Sequence, residues 1–188
     1  VLAANIFFVF NTIAQTDTLQ PSLDTVKIKI QLREASELNE KGQFRMAFKK
    51  SSDILELTQH AVGADRKWHA DALNQSGGAL LKMNRLAEAL PAFKKSLLIR
   101  EQLFGTNHQD VARVCQNLGS TFFYLQKYDS CLFYNQKSLA IRTRLLPPNP
   151  VDIAGSYTGV GTAFSGLWQL DSAILYHRKA LAIRKGLS

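Results

Sequence analysis

The apolar positions of this chain fall at helical spacing, not in the alternation of strands. Val111, Cys115, Leu118, Phe122 and Leu125 recur at steps of four, three, four and three, which lays one apolar stripe along a helix. Lys127 to Asp129 interrupts the stripe as a turn. A second stripe runs through Tyr128, Cys131, Asn135, Ser138, Ile141 or Arg142, and Leu145, and stops at Pro147 and Pro148, since proline cannot continue a helix. Two helices joined by a short turn predict a helical hairpin. Asp110 and Asp152 stand just before the apolar runs of their helices, where a carboxylate caps free backbone N–H groups. Both are expected N-caps.

The hairpin repeats with a period of 42 residues. That offset aligns Gly77 with Gly119 and Gly161, Ala89 with Cys131 and Ala173, and Leu97 with Leu139 and Leu181. It also places Leu98-Ile99-Arg100 on Ala140-Ile141-Arg142 and Ala182-Ile183-Arg184. A weaker copy precedes these, with Leu38, Phe44 and Ala47 in register and Ala35 in the glycine column. Repetition at this length marks a quasi-one-dimensional array whose units bury their apolar faces against neighbours. The predicted fold is therefore all-α, a superhelical solenoid of about four hairpins, at about 26–66, 67–108, 109–150 and 151–188, expected to continue beyond Ser188. Glycine in mid-helix costs about 1 kcal/mol relative to alanine, so the glycine column needs a packing reason. Antiparallel pairing sets it opposite Ala89, Cys131 and Ala173, small against small.

These residues resemble the tetratricopeptide repeats. In that family a leucine precedes a glycine in the first helix, an aromatic follows, a tyrosine or leucine opens the second helix, and an alanine comes three residues later. Leu118-Gly119, Phe122, Tyr128, Cys131 and Ser138-Leu139 match this pattern, as do Val160-Gly161, Phe164, Leu170, Ala173 and Ala180-Leu181. The usual period is about 34 residues. The longer period here, with the linker Gly105 to Ala112, is similar to the kinesin light chain type of repeat. The resemblance covers roughly Val26 to Ser188, and it implies a module that binds proteins or peptides.

The N-terminus differs in kind. Leu2 to Ile13 is apolar, Thr12-Ile13-Ala14 offers small residues for a cut after Ala14, and Val1 is not an initiator methionine. Residues 1–14 fit the end of a secretory signal whose basic start is missing, and residues 15–25, with Pro21, fit a linker. The other reading is an apolar segment covering the first repeat. A signal remnant implies export to the periplasm or cell envelope; otherwise the chain is expected in the cytoplasm. The stretch is too short for a membrane span.

Composition narrows the function classes. At 188 residues and 46% hydrophobic content the chain can bury an elongated core. Its net charge of +8 suggests an acidic partner, yet Lys95, Lys137 and Lys179, and Arg100, Arg142 and Arg184, form repeat columns on second helices. These columns read as a solvated face. Nucleic acid is not the expected partner, because the charge is spread rather than concentrated among exposed aromatics. Cys115 and Cys131 read as small core residues, not a disulfide. His60, His69, His108 and His177 are spread over three units without metal-ligand spacing. Gly155, Gly159 and Gly161 lack the strand and lysine of a phosphate loop. Glu88 and Asp171 sit in hairpin turns without a partner carboxylate. No cofactor, metal or catalytic role is expected.

What is left is the inner surface formed by the first helices. Off the apolar stripe stand Arg113, Gln116, Asn117, Ser120, Phe123 and Tyr124, continued by Asn74, Gln75 and Gly78 on one side and Thr158 and Thr162 on the other. Carboxamides and an arginine suit a peptide backbone, and Phe123 and Tyr124 an apolar side chain. The family resemblance implies that an asparagine at the place of Asn117 clamps ligand backbone; Gln75 offers the same group and Gly159 does not. A protein-interaction scaffold with a peptide or partner domain in its groove is the preferred reading. The alternatives are a solvated groove in an architectural spacer, and the regulatory array of a larger protein carrying a caspase-like peptidase or kinase as a C-terminal effector domain.

Overall fold

Eight α-helices fold as four consecutive hairpins in a computed structural model that describes residues 24–187. The candidate signal remnant and most of the linker lie outside the described residues. The first helices of the hairpins are α1 (Thr25–Glu40), α3 (Arg66–Lys82), α5 (Gln109–Tyr124) and α7 (Pro150–Gly166). The second helices are α2 (Phe44–Thr58), α4 (Leu86–Phe104), α6 (Tyr128–Arg144) and α8 (Leu170–Lys185). No strand occurs among the described residues, and none of their helices is long and apolar enough to cross a membrane.

Every hairpin turns in the same way. The second residue of each turn, Gly42, Asn84, Gln126 and Trp168, has φ of 74°, 59°, 57° and 60°. The following N–H reaches back to the carbonyl of Leu38, Leu80, Phe122 or Phe164. This is the left-handed helix ending that satisfies otherwise orphaned carbonyls. Gly42 and Asn84 adopt such a φ with little strain, whereas Gln126 and Trp168 are held there by the hairpin around them.

The two stripes of the third unit behave as their spacing predicts. Val111, Cys115, Leu118 and Phe122 are buried on α5, and Cys131, Asn135, Ser138, Ile141 and Arg142 on α6. The apolar members of these stripes, with Leu80, Ala89, Phe93 and Leu97 from the second unit and Ala163 from the fourth, form one continuous core. First helices also pack on each other, α1 on α3, α3 on α5 and α5 on α7. That closeness curves the array with first helices inside.

Three local expectations are corrected. The N-caps are His108, whose Nδ1 accepts from Asp110 N at 3.1 Å, and Asn149, whose Oδ1 accepts from Val151 N and Asp152 N. Asp110 and Asp152 sit two and three residues later, in the first turns of α5 and α7. The glycine column meets the side chains one turn beyond the expected ones. A Cβ on Gly77 would lie 2.8 Å from the Phe93 ring, one on Gly161 2.9 Å from His177, and one on Gly119 would overlap the Asn135 carboxamide. In the first unit the same two columns hold Ala35 and Ser51, both fully buried, so a small partner there leaves room for a methyl.

The third correction concerns charge. Arg100 and Arg142 are 1% and 4% exposed, not solvated. Arg100 Nη2 donates to Asp71 Oδ1 at 2.6 Å, and its Nη1 reaches the carbonyl and carboxylate of Asp110, both at 3.3 Å. Arg142 Nη1 donates to Gln116 Oε1 (2.7 Å), Asp152 O (3.0 Å) and Ser156 Oγ (2.9 Å). Each guanidinium thus joins a second helix to its own first helix or to the start of the next unit. A planar fork of donors is suited to such a junction. Lys137 is paired as well, with Glu101 on α4 at 2.6 Å. Of the arginine column only Arg184 is exposed, donating to Thr158 Oγ1 at 3.0 Å.

Candidate functional site

The inner face is built by first-helix residues one position off the core stripe. Because α1, α3, α5 and α7 lie side by side, those positions merge into one surface, which the structure divides into two clefts. The first, about 410 Å³, lies across α1, α3 and α5 and is lined by Arg33, Ser36, Asp71, Asn74, Gln75, Arg100, Asp110 and Arg113, with Leu32. The second, about 240 Å³, lies between α5, α6 and α7. Its walls are Gln116, Ser120, Phe123, Tyr124, Gly155, Thr158, Gly159 and Thr162, and Cys131 and Asn135 of α6 contribute from below.

Nine of the ten groove positions named from sequence therefore fall in one cleft or the other. Asn74, Gln75 and Arg113 line the first; Gln116, Ser120, Phe123, Tyr124, Thr158 and Thr162 line the second. Asn117 lines neither. Its Nδ2 donates to Asn74 Oδ1 at 2.9 Å, so it ties α5 to α3 between the clefts. Gln75 is held in a similar way, accepting from Asn39 Nδ2 at 3.2 Å.

The first cleft is charged. Arg113 donates to Asp110, three residues before it, and keeps an exposed side chain. Partial burial raises the pKa of the Asp71 carboxyl, with the Arg100 guanidinium opposing that shift. Desolvation lowers the pKa of both Arg100 and Arg142 from the ordinary arginine value, which leaves them cationic at neutral pH. The second cleft has a different character. Phe123 and Tyr124 meet edge to face at 5.8 Å, and Tyr124 is 60% exposed, a partly apolar wall. Thr158 and Thr162 donate their hydroxyls to the carbonyls of Ala154 and Thr158 and so face the cleft as acceptors.

Sequence reasoning assigned Asn135 to the core stripe and missed its place in this cleft. Only the glycines that bracket it gave a signal. Its carboxamide rests against both Gly119 and Gly159, where any Cβ would overlap it. Elsewhere the site holds no constellation of reactive groups. Cys115 and Cys131 are free and buried, and burial pushes both thiols up to about 11. No three histidine, cysteine or acidic side chains gather as a metal site among the described residues.

A stack of helical hairpins packed unit on unit is a helical-repeat array. Residues 68–144 match the tetratricopeptide repeat family model, and the hairpins on either side of them continue the same helical-repeat architecture. No curated protein sequence matches it. Among solved structures it is similar to BtubC (BKLC) from P. vanneervenii, with a TM-score of 0.76 and 18% identity over 85% of this chain. It is also similar to a putative kinesin light chain from Podosopora anserina with nearly identical TPR-like repeats, with a TM-score of 0.72 and 13% identity over 85% of this chain and 76% of that one. A third is MamA, at 0.60 and 18% over 87% and 81%. At these identities the likeness is one of fold. The chain spans 64% of the length of the BtubC structure.

Proposed function

We propose that the array is a protein-interaction scaffold whose inner face binds an extended peptide segment of a partner. The observation that carries this reading is the alignment of two clefts along one first-helix surface, lined by nine residues with the donor, acceptor and aromatic chemistry a peptide needs. Carboxamides at Asn74, Gln75 and Gln116 can bond a peptide backbone whatever its sequence. Phe123 and Tyr124 offer a wall for one apolar side chain, and Arg113 offers a cation at the edge of the first cleft. A spacer with a merely solvated face gains nothing from aromatic surface in its groove.

The test is binding of a fluorescent random-peptide array by the purified chain, repeated with three variants. Arg113→Ala and Asn117→Ala should each weaken the best peptides by about 1 to 3 kcal/mol, the second because it unties the strut between the clefts. Lys94→Ala, on the exposed side of α4, should leave binding unchanged. Retention of peptide by both groove variants together with its loss in the Lys94 variant would put the binding face on the outside of the array.

A further inference from the structure

We infer that the cleft between α5, α6 and α7 is a side-chain pocket for a neutral carboxamide of the bound peptide, glutamine or asparagine, read by Asn135 and Gln116. The inference rests on the groove reading above and adds a specificity to it. At the register position where the second and third units carry Gln75 and Asn117, and the first Arg33, the fourth unit carries Gly159. The carboxamide missing from that place is supplied from α6. Asn135 reaches between Gly119 and Gly159, and a side chain at either glycine would occupy its space.

Asn135 is 2% exposed, and only one half of its amide is satisfied. Nδ2 donates to Cys131 O at 2.9 Å, with Cys131 Sγ at 3.4 Å, while Oδ1 is buried without a partner. A buried acceptor without a donor is costly, and here it belongs to a residue lining an open cleft of about 240 Å³. That volume is several times the share of one water, about 30 Å³, and suits a side chain. The complementary donor comes from Gln116. Its Oε1 is taken by Arg142, which turns its Nε2 away from that bond, and Nε2 makes no hydrogen bond among the described residues.

The lining therefore holds an unused donor on Gln116, an unused acceptor on Asn135 that is closed over against Gly159, and two threonine hydroxyls already committed as donors, of which Thr158 also accepts from Arg184. A primary carboxamide carries the matching set of two donors and one acceptor. Charged side chains fit less well. No carboxylate lines the cleft to balance a cation, and Arg142 stands close to Gly155 at its rim. An anion would face the Asn135 and threonine oxygens. The pocket floor comes from a second helix, below the surface along which a peptide backbone would lie, so it takes a side chain and not the backbone itself.

The experiment is a positional peptide array, each of the twenty residues fixed in turn at every position of an otherwise random background, bound by the wild-type chain, Asn135→Leu and Gln116→Ala. The wild type should select glutamine or asparagine at one position. Asn135→Leu keeps the volume and loses the acceptor, and should lower affinity for the selected peptide about tenfold, the worth of one buried hydrogen bond. Gln116→Ala, at a half-buried position, should erase the same preference and guards against misfolding of the Asn135 variant, which circular dichroism would reveal. Peptide binding by the wild type without carboxamide preference, or a preference that survives in the Gln116 variant, overturns this inference and leaves the groove reading standing. Failure of the wild type to bind any peptide overturns both.

Discussion

Removing the Arg142 guanidinium should loosen the joint between the third and fourth units. Arg142→Met keeps much of the buried stem and deletes three donated hydrogen bonds, to Gln116, Asp152 O and Ser156, along with the 3.7 Å approach of Nη2 to the Asp152 carboxylate. The loss is not the full value of a buried ion pair. Ser156 Oγ keeps Ser138 as a partner at 3.2 Å, Asp152 keeps Gln109, and the Asp152 side chain is 30% exposed. Breaking a fully buried pair costs about 3 to 5 kcal/mol, so about 2 to 3 kcal/mol is the expected destabilisation here. Arg142→Lys should lose less than Arg142→Met, because all three hydrogen bonds leave the one nitrogen Nη1 and an ammonium also carries three donors on one nitrogen, though on a stem that lacks the planar guanidinium.

The comparison that decides is Arg184→Met. It removes the same residue type from the same repeat column, but from an exposed site with one hydrogen bond, and should cost no more than about 0.5 kcal/mol. Urea unfolding followed by circular dichroism gives both values, and limited proteolysis across residues 145–149 reports the joint itself. In a repeat array stability is a sum of unit and interface contributions, so the Arg142 variants should be cut there faster than wild type well below the global transition. Equal, small losses for Arg142→Met and Arg184→Met, with unchanged cleavage, would refute the joint and restore the picture of a solvated arginine face.

Three other outcomes follow from the packing. Gly119→Ala should destabilise by about 1 to 3 kcal/mol, since its methyl would overlap the Asn135 carboxamide, whereas Gly78→Ala, with nothing within 4 Å of its added Cβ, should stabilise by up to about 1 kcal/mol; thermal melts compare the two. Cys115 and Cys131, with thiols pushed up to about 11, should react with a maleimide at pH 7 far more slowly in the folded chain than in urea, and equal rates would contradict their burial. Burial lowers the pKa of His69, whose Nδ1 lies 3.0 Å from Thr58 Oγ1. Below the unfolded pKa of about 6.5 the unfolded chain then binds the proton more readily, so stability should fall as pH drops through that region and level off above it. His69→Gln should flatten that slope in urea midpoints taken from pH 5 to 8.

The hairpins were legible because apolar spacing and period repeat over four units, and the inner-face residues followed from helix geometry. What escaped was set by contacts between helices. Arginine is rarely buried, so a column of arginines read as solvent-facing; yet Arg100 and Asp110, and Arg142 and Asp152, share a separation of ten residues, and that pairing was the available sign. The same two aspartates carry the sequence mark of N-caps, because their role as arginine acceptors depends on the neighbouring hairpin. The glycine column missed its partners by one turn, an error in interhelical register that no single-helix pattern corrects. Gln126 and Trp168 gave no hint of a left-handed φ, because packing of the hairpin overrides residue preference there.

The joints and the groove are mechanically linked. Position by position the second-helix arginine contacts the inner face: Arg100 holds Asp71 in the first cleft, Arg142 holds Gln116 in the second, and Arg184 holds Thr158 on its far wall. The side chains that fasten one hairpin to the next thus also fix groove-lining groups. Arg142 engages Gln116 through its oxygen alone, which assigns the carboxamide a direction and leaves its nitrogen to the cleft. A change of curvature that moved α6 against α7 would shift Arg142 relative to Gln116 and Asp152 together, and would move Asn135 relative to Gly159 at the same time. Ligand that bridges Asn135 on α6 and Gln116 on α5 would resist that movement. Occupancy of the second cleft should therefore stiffen the joint, and stiffening of the joint should raise affinity, since coupling between the two is reciprocal.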